Sequence, residues 1–264
     1  MFIFYRKRIL FMIFIIMLAV IVPIVNKEET MQVVALPVSN KVIVLDAGHG
    51  YPDNGAESSN GTSENILNLL ITLKVQKLLE EAGATVILTR SDENGIYDLD
   101  KNTLRDKKVS DIKNRVKIGN NSSADIFVSI HLNKIPQQQY SGWQTFFRKN
   151  DEDSQKLAKL IQNNLNLSIQ KENKREEHVI TGKYIIEHIE IPTVIVECGF
   201  LSNPAEEKLL QTSEYQDKIA WGIYTGIMDY FEKWYSIEKS FLKFNKILNF
   251  YLFYAINWCR NLLL

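Results

Sequence analysis

Short β-branched runs alternate along the chain with longer stretches whose apolar residues recur at helical spacing. Lys41–Leu45, Thr85–Thr89, Ile126–Ile130, Gly142–Phe147 and Thr193–Val196 read as strands, with Ile185–Ile186 as a further short one. The segment from Glu64 to about Ala82 carries Ile66, Leu67, Leu70, Leu73 and Leu78 on one face, which predicts a helix. Ser63 is its expected cap and Gly83 its stop. Asp111–Asn121, Asp153–Leu167, Pro204–Leu210 (capped by Asn203) and Tyr215–Tyr235 complete the helices. Ser91–Lys108 reads as a polar surface excursion and Gln170–His178 as a charged loop. Asp46–Thr62 is a long Gly/Asn/Ser loop, and a loop of that length inside a compact domain usually serves function. Strands alternating with helices predict an α/β fold built on a largely parallel, covered sheet.

The two ends break this pattern. Arg6-Lys7-Arg8 precedes an apolar run from Ile9 to Val22, followed by Pro23-Ile24-Val25. A basic segment before such a run reads as a secretory signal or signal anchor. No small-x-small cleavage site follows, which favours an uncleaved membrane anchor over residues 1–25, with the rest of the chain exported. Residues 26–40 form a polar linker and residues 41–235 one catalytic domain. Residues 236–264 are apolar on most sides; a packed helix, a membrane-surface helix and a tail all remain open.

Composition narrows the class. The chain has 264 residues, 45% hydrophobic and 23% charged, enough for one sizeable core. Lys+Arg and Asp+Glu balance at 31 each, so no global field points to nucleic acid, and no nucleic-acid motif is present. Two cysteines, Cys198 and Cys259, are too few for a disulfide framework. Cys198 reads as a small packed hydrophobe.

The chemistry gathers where strands end. His49 follows Val42–Leu45 within Asp46-Ala47-Gly48-His49-Gly50, His131 follows Ile126-Phe127-Val128, and Glu197 follows Val194-Ile195. In one parallel sheet those ends converge on a single crevice. Two imidazoles and a carboxylate suit zinc with an open fourth position, and a further carboxylate supplies a general base. Each residue also has a plain reading: a hydrogen-bonded loop histidine, or, for Glu64, a carboxylate complementing a helix dipole. Glu197 is harder to dismiss, because an ionised carboxylate after a buried strand is costly unless paired. Gly48 and Gly50 open space beside His49. Asp46 is a candidate partner for a ligand imidazole or a cap for the loop backbone. Asn133 is a candidate for fixing a ligand or binding substrate, or for an ordinary loop hydrogen bond.

Val44-Leu45-Asp46-Ala47-Gly48-His49-Gly50, then Glu64 opening a helix, Phe127-Val128-Ser129-Ile130-His131-Leu132-Asn133, and Val196-Glu197-Cys198-Gly199-Phe200-Leu201-Ser202-Asn203 occur in that order. This set resembles the type-3 family of zinc-dependent N-acetylmuramoyl-L-alanine amidases, over about Lys41 to Tyr235. Within the family it is most similar to the germination-specific amidases of spore-forming bacteria; Gly142-Trp143 and Tyr215-Gln216-Asp217-Lys218 support that narrower match. The resemblance implies a twisted mixed sheet flanked by helices, one zinc ion on His49, Glu64 and His131, and Glu197 as the catalytic carboxylate. It implies hydrolysis of the amide between the lactyl group of N-acetylmuramic acid and L-alanine, outside the cytoplasm, in cell wall or spore envelope. The implied partners are peptidoglycan strands with stem peptides and a separate deacetylase that forms muramic δ-lactam; an activating protein is left open. Tyr51 stands where the family has a second glycine, Asn54 where a small residue is usual, and Cys198 where another hydrophobe is usual. Tyr51 and Asn54 are expected to reshape the cleft. The alternatives are another zinc amidohydrolase, such as an exopeptidase using Arg115 or Arg175 to bind a free terminus, and a non-catalytic wall-binding protein.

Overall fold

The computed structural model describes residues 35–232. The expected anchor over residues 1–25 and the apolar tail from Ser236 lie outside the described residues. Among the described residues no helix is long and apolar enough to cross a membrane. Val38 is fully buried in the core, so packing begins shortly before the first strand.

The elements run β1 (Val42–Ala47), α1 (Glu64–Glu81), β2 (Thr85–Leu88), α2 (Leu104–Asn121), β3 (Ile126–Asn133), β4 (Gln144–Phe147), α3 (Glu152–Ile169), β5 (His178–Val179), α4 (Tyr184–His188), β6 (Thr193–Phe200) and α5 (Pro204–Leu210). A last helix, α6, spans 213–232. The sheet order is β2-β1-β3-β6-β4-β5. The first four strands pair in parallel; β4 runs antiparallel to β6, and β5 runs parallel to β4. The expected α/β class and mixed, mostly parallel sheet are therefore what the chain forms. The central strands are covered on both faces, so their sequences are almost continuously apolar.

The period of two splits each strand between two cores. Ile43 and Leu45 of β1, Ile126, Val128 and Ile130 of β3, and Val194 and Val196 of β6 enter the larger core with α1, α3 and α6. Val44 and Phe127 enter a smaller one with Val116 of α2 and Ile185 and Ile189 around α4. Asp46, Ser129, His131 and Glu197 follow the parity of that smaller core, so the chemistry lies on the α2/α4 side. Glu64 begins α1, whose apolar face packs on the other side, and reaches the same edge of the sheet.

Three local expectations change. Helix α2 starts at Leu104, well before Asp111, because Thr103 accepts a hydrogen bond from the amide of Asp106 at 3.1 Å. Its polar surface gave no apolar stripe to mark that start. Ile185–Ile186 is part of α4, not a strand, since two adjacent apolar residues carry no periodicity; the short edge strand is His178–Val179, beginning at the last residue of the expected loop. Ser63 occupies the cap position of α1, but its hydroxyl turns to Asn65 Oδ1 at 2.5 Å and Asn54 O at 3.3 Å. The loop carbonyls of Ala56 and Asn54 take the first helical amides instead, from Glu64 at 2.9 Å and Asn65 at 3.1 Å.

Candidate metal centre

Strand β1 delivers His49 through a tight turn. His49 has φ of 62°, the left-handed region that non-glycine residues seldom occupy, so its surroundings must hold it there. Arg115, rising from α2 and buried, donates to Ala47 O at 2.7 Å and His49 O at 2.5 Å. The same guanidinium pairs with Asp46 Oδ1 at 2.6 Å and Asp111 Oδ2 at 2.6 Å. Thr89 and Ser129 hydroxyls complete the shell of Asp46 at 2.7 and 2.6 Å. Burial alone would raise this carboxyl, but Arg115 and the two hydroxyls outweigh it and hold its pKa at about 2.

His49 Nδ1 lies 2.9 Å from Asp53 Oδ2, which leaves Nε2 directed at Glu64 Oε1, 3.4 Å away. His131 Nδ1 approaches that same oxygen at 3.0 Å. Burial works to lower the His49 pKa, but Asp53 and Glu64 reverse this and raise it to about 9. Glu64 is almost fully buried and anchored on both oxygens. Oε1 accepts from Leu132 N at 3.1 Å and Asn68 Nδ2 at 3.3 Å; Oε2 accepts from Ala56 N at 2.7 Å. Its burial favours the neutral acid, yet the two imidazoles outweigh that and hold it ionised far below the usual range.

One ligand atom from each of His49, Glu64 and His131 lies within 4.8 Å of the others, a group that can hold a metal ion. Tetrahedral zinc with bonds of about 2.0–2.1 Å places its ligand atoms about 3.3–3.4 Å apart. The 3.4 Å contact of His49 Nε2 with Glu64 Oε1 matches that edge length, and the 3.0 Å contact of His131 Nδ1 is a few tenths of an ångström shorter, the length of a direct hydrogen bond. Two glycines make the approach possible. A Cβ on Gly48 would stand 2.3 Å from the His131 ring, and one on Gly55 would stand 2.6 Å from Glu64 Oε2 and 2.7 Å from the His49 ring. Gly50, expected to open space beside His49, packs instead on the backbone of Asn94 and Gly95.

Glu197 sits opposite His131 in the β3–β6 register. Its Oε2 is sealed from solvent without a hydrogen-bond partner, and burial lifts its carboxyl above the ordinary range. Two carboxylates at one site are thus pushed in opposite directions, one toward the permanent anion and one toward proton exchange. All four sequence-identified residues line one cavity of about 360 Å³, with Ile112, Asn133, Lys134, Ile180, Lys183 and Tyr184 around them.

Other candidates fall elsewhere. Asp46 touches no imidazole, because Arg115 and two hydroxyls consume it; Asp53 fills that place. Its signal, a carboxylate four residues after His49 in a turn, was present but carried no weight without the fold. Arg115 is sunk beneath the turn and cannot meet a peptide terminus. Arg175 is tied to Gln144 Oε1 at 3.2 Å and lies over the Phe200 ring at 4.7 Å. Asn133 does line the cavity. Cys198 is fully buried, its thiol raised by desolvation, as expected of a packed hydrophobe. Tyr51 and Asn54 line a neighbouring polar cavity with Asp92 and Asn94, not the one that holds the four. Glu207 was not foreseen: it accepts from Ser58, Asn60 and Thr62 at 2.5, 2.8 and 2.7 Å and pins the far end of the long loop.

The family model described as N-acetylmuramoyl-L-alanine amidase matches residues 43–229. The germination-specific N-acetylmuramoyl-L-alanine amidase of Bacillus subtilis is 38% identical over 197 residues, 75% of this chain and 82% of that protein. The solved CwlD amidase of Clostridioides difficile, in complex with the GerS lipoprotein, is 47% identical with a TM-score of 0.72, covering 73% of this chain and 99% of that one. A crystal structure of an N-acetylmuramoyl-L-alanine amidase from Clostridium difficile is 30% identical with a TM-score of 0.65, covering 74% of this chain and 98% of the other.

Proposed function

This chain belongs to the N-acetylmuramoyl-L-alanine amidase family, and from that membership we propose a zinc-dependent hydrolysis with His49, Glu64 and His131 as ligands and Glu197 as the proton-transferring residue. The bond is the amide between the lactyl group of N-acetylmuramic acid and the L-alanine of a peptidoglycan stem. The observation that carries the ligand assignment is the convergence of His49 Nε2 and His131 Nδ1 on Glu64 Oε1.

When bound, zinc supplies the Lewis acidity that makes water a competent nucleophile near neutral pH. The chain's own residues do the rest. Asp53 accepts a hydrogen bond from Nδ1–H of His49, favouring the tautomer whose Nε2 is free to bind a metal. Leu132 N, Asn68 and Ala56 N hold both oxygens of Glu64, so this ligand does not swing. Glu197 Oε2, unpartnered beside His131, accepts the proton of the attacking water. It then returns that proton to the alanine nitrogen, which cannot depart as an anion. Its raised pKa suits both steps, because the proton is held long enough to be passed on.

The finer biology is part of the same proposal, supported by the similarity to a germination-specific amidase and to a CwlD amidase in complex with a lipoprotein. The enzyme acts outside the cytoplasm on cell-wall peptidoglycan, held at the membrane by residues 1–25. It trims spore cortex stems so that a separate deacetylase forms muramic δ-lactam, and a lipoprotein partner of the kind bound to CwlD supports it. Mass spectrometry of cortex-type peptidoglycan treated with the full chain, with zinc and with chelator, tests this. Zinc-dependent release of intact peptides beginning with L-alanine is expected; cleavage confined to the peptide refutes it in favour of a peptidase.

A further inference from the structure

Arg90 follows β2 and is 4% exposed, yet it forms no ion pair among the described residues. Its guanidinium is solvated by main-chain carbonyls instead. Nε donates to Ala47 O at 2.8 Å, Nη1 to Asp92 O at 2.6 Å, and Nη2 to Gly48 O at 3.0 Å and Asn65 O at 2.8 Å. Asp46, Asp111 and Asp92 balance its charge only from a distance, and a buried cation with no carboxylate in contact is a costly arrangement. Arg115, by contrast, is neutralised by Asp46 and Asp111.

The acceptors explain the placement. Ala47 and Gly48 immediately precede His49, and Asn65 immediately follows Glu64. One planar fork therefore grips the turn that carries one ligand and the helix start that carries another. Asn68 repeats the link one turn along α1, donating from Nδ2 to Gly48 O at 3.1 Å and to Glu64 Oε1 at 3.3 Å. No backbone hydrogen bond between structured elements ties residues 47–49 directly to residues 64–65. The loop carbonyls of Asn54 and Ala56 join the two only by way of residues 50–57, whereas Arg90 and Asn68 bridge them directly.

We propose that Arg90, seconded by Asn68, is a positioning residue that fixes the spacing of the His49 turn and the Glu64 helix and thereby sets the affinity of the metal site. The proposal rests on His49, Glu64 and His131 being the ligands. A lysine keeps the charge but cannot reach carbonyls on three segments from one plane. Supporting partners of metal ligands are typically worth about 10–100-fold in metal affinity.

The test uses the full chain stripped of metal. Zinc affinity is read by competition with a chromophoric chelator, and the thermal midpoint of the metal-free protein is read beside it. Arg90→Lys is expected to weaken zinc binding by about 10–100-fold, well beyond any change that its metal-free midpoint accounts for. Methylguanidinium added to Arg90→Ala is expected to restore part of the affinity. Arg148→Lys, a change at a guanidinium bound to Ile189 O and Asp151 far from the turn, is expected to leave affinity unchanged. A lowered midpoint with wild-type zinc affinity in Arg90→Lys overturns the proposal, because the arginine then serves folding alone. Should Arg90→Lys not fold, Asn68→Ala carries the test, and unchanged affinity there overturns it equally. Absence of zinc binding by the wild type refutes the ligand assignment itself, a distinct result.

Discussion

Replacing Asp46 by Asn probes the support beneath the metal centre without touching a ligand. The carboxylate is fully buried and accepts from Arg115, Thr89 and Ser129. Its amide replacement removes the charge that faces Arg115 and presents an N–H that only the Thr89 or Ser129 hydroxyl can accept, and it leaves Arg115 with Asp111 as its one remaining carboxylate. Breaking a buried pair from one side costs about 3–5 kcal/mol. A second route gives a similar figure: a pKa moved from 3.8 to about 2 corresponds to ~2.5 kcal/mol at about 1.4 kcal/mol per unit. A loss of ~3 kcal/mol lowers the melting midpoint of a domain this size by about 6–12 °C. The sign of the pH dependence is fixed. The folded pKa is depressed, so the carboxylate's contribution is fully present above the unfolded pKa of 3.8 and is lost as pH falls through about 2. Urea unfolding of both metal-free proteins from pH 7 to pH 3 measures this. The gap between wild type and Asp46→Asn should be constant down to about pH 5 and then narrow, by ~1 kcal/mol at pH 3. A gap that stays below ~1 kcal/mol at pH 7, or that widens on acidification, refutes the reasoning.

Further expectations concern the centre itself. Glu197→Gln should retain stoichiometric zinc and lose about 10²–10⁴-fold in turnover, read by metal analysis beside peptide release; normal turnover removes Glu197 from its role. His49→Ala should lose zinc and activity together, and near-stoichiometric zinc in that protein strikes His49 from the ligand set. Gly48→Ala puts a methyl 2.3 Å from the His131 ring, so the imidazole must retreat by about 1 Å, several times the ±0.2 Å a metal site tolerates; wild-type zinc affinity there contradicts the packing. Glu207→Ala should release the 58–62 loop and speed its amide hydrogen exchange while leaving zinc bound; unchanged exchange means the three hydrogen bonds are not what holds that loop.

The strands that carry His49, His131 and Glu197 were legible because a doubly covered parallel sheet writes itself as short apolar runs. The clustering of His49, Glu64 and His131 was legible because these residues end those runs or open a helix. What escaped was everything decided across long separations. Arg90 and Arg115 look like any surface arginine in sequence, and only the fold carries them beneath residues 47–49. Asp46 was the obvious acid beside His49, yet strand parity turns it toward α2 and leaves the imidazole to Asp53. The early start of α2 escaped for a different reason: its first turns face solvent, so the cap at Thr103 was the one available mark. Tyr51 and Asn54 were expected to reshape the cleft, but they line a separate polar cavity with Asp92 and Asn94.

His49, His131 and Glu197 come from segments far apart in the chain and meet through the β1–β3 and β3–β6 pairings, while Glu64, nearer to His49 in sequence, opens α1 beside them. No hairpin or single helix assembles even a partial version of the ligand set. Parallel pairings of this kind pay their loop-closure entropy before they return any contact, and so form late and slowly. The proposed metal group of His49, Glu64 and His131 is therefore complete only with the finished topology, and on that proposal chains that stall on the way are blind to the ion. Zinc uptake during refolding is then a clock for the last productive step; uptake that precedes burial of the β3–β6 seam contradicts this order of events. Metal supply can then rescue completed molecules but cannot template incomplete ones.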